Sequence, residues 1–146
     1  MSNCEQSAAV LAGLLVATVS AGHFTAAARA ASPNPYDGAW TVEVDCADVG
    51  DVRGYNWRFP VEVRSGVLTG TYRSSTTSAM GNLRGRIGPD GRGLLTLVGR
   101  TGPPDISVGH VSPGTPFRYT ANVKFEGNGG YGRRNELRPC TLTFSR

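Results

Sequence analysis

The chain of 146 residues holds two histidines, three cysteines and one lysine, and it contains no run of about 20 apolar residues. Each shortage excludes something. Without a long apolar run there is no helix able to span a bilayer. Beyond residue 30 the only histidine is His110, so nucleophilic or acid–base chemistry lacks its commonest base. Asp105, Ser107 and Ser112 lie near it in sequence, but no triad pattern joins them. No Cys/His spacing describes a zinc site. The stretch GNGGYG at 127–132 lacks both the lysine and the strand-to-helix setting of a phosphate loop. Asp45, Asp48 and Asp51 recur in DCADVGD without the bidentate glutamate of a calcium loop, and read as a solvated acidic loop. No ten-residue stretch after residue 30 carries a helical apolar stripe. The expectation is a protein that is not an enzyme and needs no cofactor or metal.

At the N-terminus, AAVLAGLLVATVSA (8–21) has the length of a signal-peptide core, and Ala28-Arg29-Ala30 places small residues for cleavage before Ala31. The predicted division is a signal peptide over 1–30, a short extension over 31–37 and one domain over 38–146. The leader MSNCEQ carries Glu5 and no Lys or Arg, which leaves a buried N-terminal helix as the alternative. Cys4 precedes the apolar run, the wrong place for a lipid anchor. Its removal would leave Cys46 and Cys140 in a compartment where thiols pair, periplasmic or secreted. Such a bridge encloses roughly 90 residues and contributes about 4 to 5 kcal/mol in the chain-entropy picture. Two buried free thiols are the other reading.

The remaining chain has period two. WTVEVDC puts Trp40, Val42, Val44 and Cys46 on one face; WRFPVEV does the same with Trp57, Phe59, Val61 and Val63. Pro60 falls on the outward set and marks an edge or bulge. Ser65-Gly66 forms a tight hairpin turn into a strand over 67–74. Further strands are predicted over 82–87, 94–100, 117–125 and 139–144, with Gly88-Pro89-Asp90-Gly91 as a turn. Two loops interrupt this rhythm, a Pro/Gly-rich one over 101–116 and a glycine-rich one over 126–137 that contains Arg133 and Arg134. Seven strands joined by short turns make an all-β antiparallel meander. It closes as a small barrel stapled by Cys46 and Cys140, or folds as a β-sandwich.

The segments DGAWTV (37–42) and GVLTGTY (66–72) resemble the first strand and following hairpin of the avidins, and more broadly the Gly-x-Trp start of lipocalin-like barrels. That resemblance implies a ligand site near the hairpin and, at the matching positions, contacts from Tyr72 and Ser74. Val42 stands where such a site would place a polar ligand contact, no tryptophan follows Trp57, and SSTTSAM (74–80) lacks the asparagine of that site. The ligand implied is therefore not biotin. The alternative for the heptapeptide is a turn at Gly66 with Tyr72 capping a barrel end. Over most of residues 36–144 the order YDGAWTVEVDC, FPVEV, GVLTG, LRGRI, RPCTLTF is similar to small exported β-domains of α-proteobacteria. This implies fold and compartment, with no chemistry attached.

Arginine supplies all but one of the 15 basic residues, and the net charge is +4. The guanidinium fork suits carboxylates and phosphates, although a GC-rich genome also favours arginine. The inward alternation of the aromatics leaves no stacking stripe for nucleic acid. The functional expectation is a monomeric, exported, non-catalytic binding module for a small ligand or an anionic envelope component, with Arg133 and Arg134 as first contacts. The alternative is an inhibitor of a hydrolase that presents the 101–116 loop.

Overall fold

The computed structural model describes residues 33–146; the predicted leader, Cys4 included, lies outside them. Eight antiparallel strands follow one another: β1 (Gly38–Cys46), β2 (Tyr55–Arg64), β3 (Val67–Arg73), β4 (Met80–Ile87), β5 (Arg92–Arg100), β6 (Pro116–Glu126), β7 (Gly129–Arg134) and β8 (Cys140–Ser145). Each pairs with the next and β8 pairs with β1, so the meander closes as a barrel. Two 3-10 turns, Pro104–Ile106 and Val108–His110, are the only helical pieces among the described residues. The closing pair of strands sets Cys46 opposite Cys140, and a disulfide joins them with the Cα atoms 4.1 Å apart.

Period two produces this barrel because alternate side chains reach opposite faces of a strand. Trp40, Val42, Val44, Phe59, Val61, Val63, Leu95, Leu97, Leu142 and Phe144 all lie in the buried core. In this eight-stranded barrel such side chains fill the interior. The β2–β3 ladder stops at Val61–Gly70, next to Pro60, which has no N–H to extend it.

The glycine-rich segment predicted as a loop is instead partly a strand, which gives eight strands rather than seven. β7 pairs with both β6 and β8. Its inward positions are Gly130, Gly132 and Arg134, so the apolar signal of a strand is missing. A Cβ at Gly132 would lie 2.6 Å from a Val123 methyl, and one at Gly130 would lie 3.1 Å from the Phe125 ring. The neighbouring strands fill the space that side chains of β7 would occupy.

The end at which β1 begins is closed. There Ser65 and Gly66 both take positive φ, 49° and 73°, the geometry of a type I′ hairpin turn. Residues 33–37 lie across this end. The Asn34 side chain donates to the Ile87 carbonyl at 2.7 Å, the Gly66 N–H donates to the Asp37 carboxylate at 2.9 Å, and the Trp40 indole donates to the Tyr36 carbonyl at 2.9 Å. The opposite end is framed by longer connections, residues 47–54, 74–79, 101–115 and 135–139.

Candidate ligand-binding site

That opposite end holds a half-enclosed cavity of about 210 Å³. Its floor is aromatic: Tyr55 and Trp57 from β2, Phe117 and Tyr119 from β6. These are the last inward positions of their strands before the loops begin. Ile106, Val108 and Val111 of the 101–115 connection form an apolar wall over the floor. Arg134 and Arg138 supply the polar side, and Leu137 stands at the rim.

Both arginines lie in unfavourable surroundings. Arg138 is 1% exposed; its terminal nitrogens donate to the carbonyls of Ile106 at 3.2 Å and Val52 at 3.4 Å, and its Nε has no hydrogen-bond partner among the described residues. The Arg134 guanidinium lies 4.0 Å from the centre of the Tyr119 ring. One of its nitrogens reaches only Cys140 Sγ at 3.8 Å, and its Nε is likewise buried and unpaired. Among the described residues neither forms a salt bridge. A guanidinium does not lose its proton in a protein, so each charge remains and each burial costs free energy.

The third unpaired atom is the Tyr119 hydroxyl. Burial drives the acidity of this phenol far below the ordinary, its pKa far above the usual tyrosine range, so it remains protonated. Tyr55 is shifted the same way by burial, while Arg134 and Arg138 oppose the shift; both cations therefore act on the same phenol. Nearby acids are engaged elsewhere. Glu136 accepts from the N–H and hydroxyl of Thr120 at 2.8 and 2.7 Å, and those bonds hold its carboxyl below the usual range.

Leu137 adds strain to the rim, with φ at 59° and 81% exposure. A branched apolar side chain in the left-handed region is uncommon, and such outliers gather at functional sites.

The 101–115 connection is tied to the 47–54 connection. Arg53 pairs with Asp105 through its side chain, and its N–H donates to the Asp105 carbonyl at 2.8 Å. His110 Nε2 lies 3.0 Å from the Asp51 carboxylate and its Nδ1 lies 3.1 Å from the Pro104 carbonyl. The hydrogen bond to Asp51 raises the His110 pKa and lowers that of Asp51. Asp51, not the sequence neighbour Asp105, is thus the partner of His110. Ser107 donates its hydroxyl to the Pro103 carbonyl at 2.8 Å. Asp48 accepts from the Gly54 N–H, so Asp48 and Asp51 serve different contacts. Among the described residues no group of three His, Cys, Asp or Glu is placed to hold a metal ion.

The structure separates the residues singled out in the sequence. Tyr72 lies at the cavity end but stacks behind Trp57, ring centres 4.4 Å apart and planes 13° from parallel. Ser74 shapes the 74–79 connection, its hydroxyl accepting from the N–H groups of Thr76 and Thr77. Arg133 and Arg134, expected together on a loop, project from opposite faces of β7. Arg133 donates to the Tyr131 hydroxyl at 2.7 Å in a shallow outer depression of about 660 Å³ that also contains Arg92 and Lys124. Only Arg134 reaches the cavity. Arg138, Tyr119, Tyr55 and Leu137 were not expected; parity carried a signal, since Arg138 lies two residues before Cys140 and continues the inward set of β8.

No protein-family model, curated protein or solved structure matches the chain.

Proposed function

We propose that the protein is an exported, non-catalytic binding module that takes a small anionic ligand in the cavity at the disulfide-bridged end of its barrel. The observation that carries this reading is the pair of guanidinium groups, Arg134 and Arg138, that line the cavity without a salt bridge among the described residues. A cation without a counter-charge is costly to bury, and two of them lining one cavity are accounted for by an anion that arrives as a ligand. The aromatic floor and apolar wall match the usual lining of small-molecule sites, with a few polar groups setting orientation. The one serine and the one histidine of the 104–110 turns are both occupied by local contacts, which supports binding over catalysis. Ile106, Val108 and Val111 face the cavity, which favours this reading over an inhibitor loop standing clear of the barrel.

Export rests on the leader-like N-terminus and on the disulfide, which suits an oxidising compartment. Among the described residues no helix is long and apolar enough to cross a membrane. Two experiments test the proposal. Mass spectrometry of the protein from its native host should find an N-terminus between Gly22 and Ser32, and intact Met1 in a cytoplasmic fraction would remove the export part. A thermal-shift series with small organic anions should raise the melting temperature of the wild type more than that of Arg134→Met. Equal shifts for both proteins would count against the cavity.

A further inference from the structure

We infer that the ligand of this cavity is a small aromatic monocarboxylate, its carboxylate held by Arg134 and Arg138 and its ring lying between the aromatic floor and the Ile106–Val108–Val111 wall. The inference rests on the binding reading above and adds the chemical class. The first argument is that the charged side chains that line the cavity, Arg134 and Arg138, are obligate donors. The group that pairs with them is therefore an acceptor, and an ionised carboxylate is acceptor-only. A neutral alcohol or amine would bring a donor of its own to a place already rich in them.

Charge gives the second argument. Two guanidinium groups line the cavity, and the acids around it are held by other partners: Asp105 by Arg53, Asp51 by His110, Glu136 by Thr120. A guanidinium fork matches the two oxygens of a carboxylate. A phosphate monoester, with three terminal oxygens and about 1.5 to 2 charges, is the competing anion that the test separates.

Size and surface give the third. About 210 Å³ lies below the roughly 300 to 1,000 Å³ of drug-sized sites, so the occupant is small. Tyr55, Trp57, Phe117 and Tyr119 offer ring faces and edges, and aromatic pairs gain from offset or edge contacts beyond their area. The exposed Leu137 at the rim then acquires a role, since a ring entering the cavity would cover part of it.

The test uses the disulfide-bonded protein and three probes with one ring system: 2-naphthoate, 2-naphthyl phosphate and 2-naphthylmethanol, titrated by calorimetry and tryptophan fluorescence. Naphthoate is expected to bind, the phosphate at least tenfold more weakly, and the alcohol not measurably. Tyr119→Phe removes a hydroxyl buried away from the cavity and keeps the ring, so naphthoate affinity should hold while the melting temperature of the free protein stays level or rises. Arg134→Met should abolish binding; because Arg138 also ties two connections together, it is left intact. Equal or tighter binding of the phosphate would overturn the carboxylate assignment and leave the anion reading standing. Binding of the alcohol as tight as that of the acid would overturn both. No binding of any probe would also remove both.

Discussion

At each end of the barrel an arginine lies over an aromatic ring, and the two arrangements differ in what surrounds the cation. At the closed end Arg146 sits 4.4 Å from the Trp40 ring centre; its nitrogens donate to the carbonyls of Pro35 and Asp37 and to the Asn128 side chain at 3.1 to 3.3 Å. At the other end Arg134 sits 4.0 Å from the Tyr119 ring centre with its Nε unpaired. All the unpaired buried side-chain atoms among the described residues lie at that end. The same cation–π contact is thus part of a finished surface in one place and of an incomplete polar cluster in the other. The closed end has its arginine donors paired; the cavity end leaves three buried polar atoms without partners, a geometry that reduces stability.

Substitutions at the two ends should therefore behave differently. The largest effect is expected from Cys140→Ser, which unties β8 from β1 beside the cavity: a loss of about 2 to 5 kcal/mol in denaturant unfolding, with naphthoate binding lost as well. Gly66→Val should follow with about 2 to 3 kcal/mol, since the residue has φ of +73° and a Cβ there would lie 2.7 Å from the Asn34 side chain and 2.8 Å from the Ile87 carbonyl. This change damages the closed end, and binding by the folded fraction should persist. Arg146→Ala removes satisfied hydrogen bonds and a ring contact, for a loss of about 1 kcal/mol. Arg134→Met makes the contrast: loss of a part-buried charge that has no salt bridge among the described residues and a buried, unpaired Nε leaves the unliganded protein as stable as the wild type or more so.

The smallest effect concerns pH. His110 has its pKa raised above 6.5 by the hydrogen bond to Asp51, with Asp105 adding to the negative surroundings. A raised value places the contribution of the pair fully below about 6.5 and removes it as pH climbs through the His110 titration. On the acid side it fades as pH falls through the lowered Asp51 value, below 3.8. Both groups are exposed to solvent, so global stability should hardly change. Protection of the 104–111 amides, corrected for intrinsic exchange, should decline as His110 deprotonates, and His110→Gln should flatten that profile.

Much of the barrel was legible because its strands alternate apolar and polar residues and its turns carry Ser65-Gly66 and Gly88-Pro89-Asp90-Gly91. β7 was not, because the alternation is written there in glycine: the space inward of Gly130 and Gly132 belongs to Phe125 and Val123. The cavity was only partly legible for a related reason. Arg134 is named by its charge, but its inward direction follows only once β7 is a strand. Arg138 lies in a connection, where parity with β8 is the one local signal of its inward direction, and its hydrogen bonds go to the carbonyls of Val52 and Ile106, which are distant in sequence. Tyr72 is an aromatic at a barrel end, as its position suggests, yet it packs behind Trp57 and outside the cavity wall. No local pattern marks a hydroxyl such as that of Tyr119 as unpaired, because this depends on what the other strands fail to provide.

The comparison of the two ends is tested most directly by the side-chain Nε–H resonances of the arginines, observed by nitrogen-15 NMR before and after saturation with 2-naphthoate. Arg134 and Arg138 should both move downfield as they gain an acceptor, following one binding isotherm, while Arg146 stays in place because its donors are already bonded. If Arg146 moves with them, or if Arg134 and Arg138 remain where they were while naphthoate is bound, the cavity end is not the site described and the account fails.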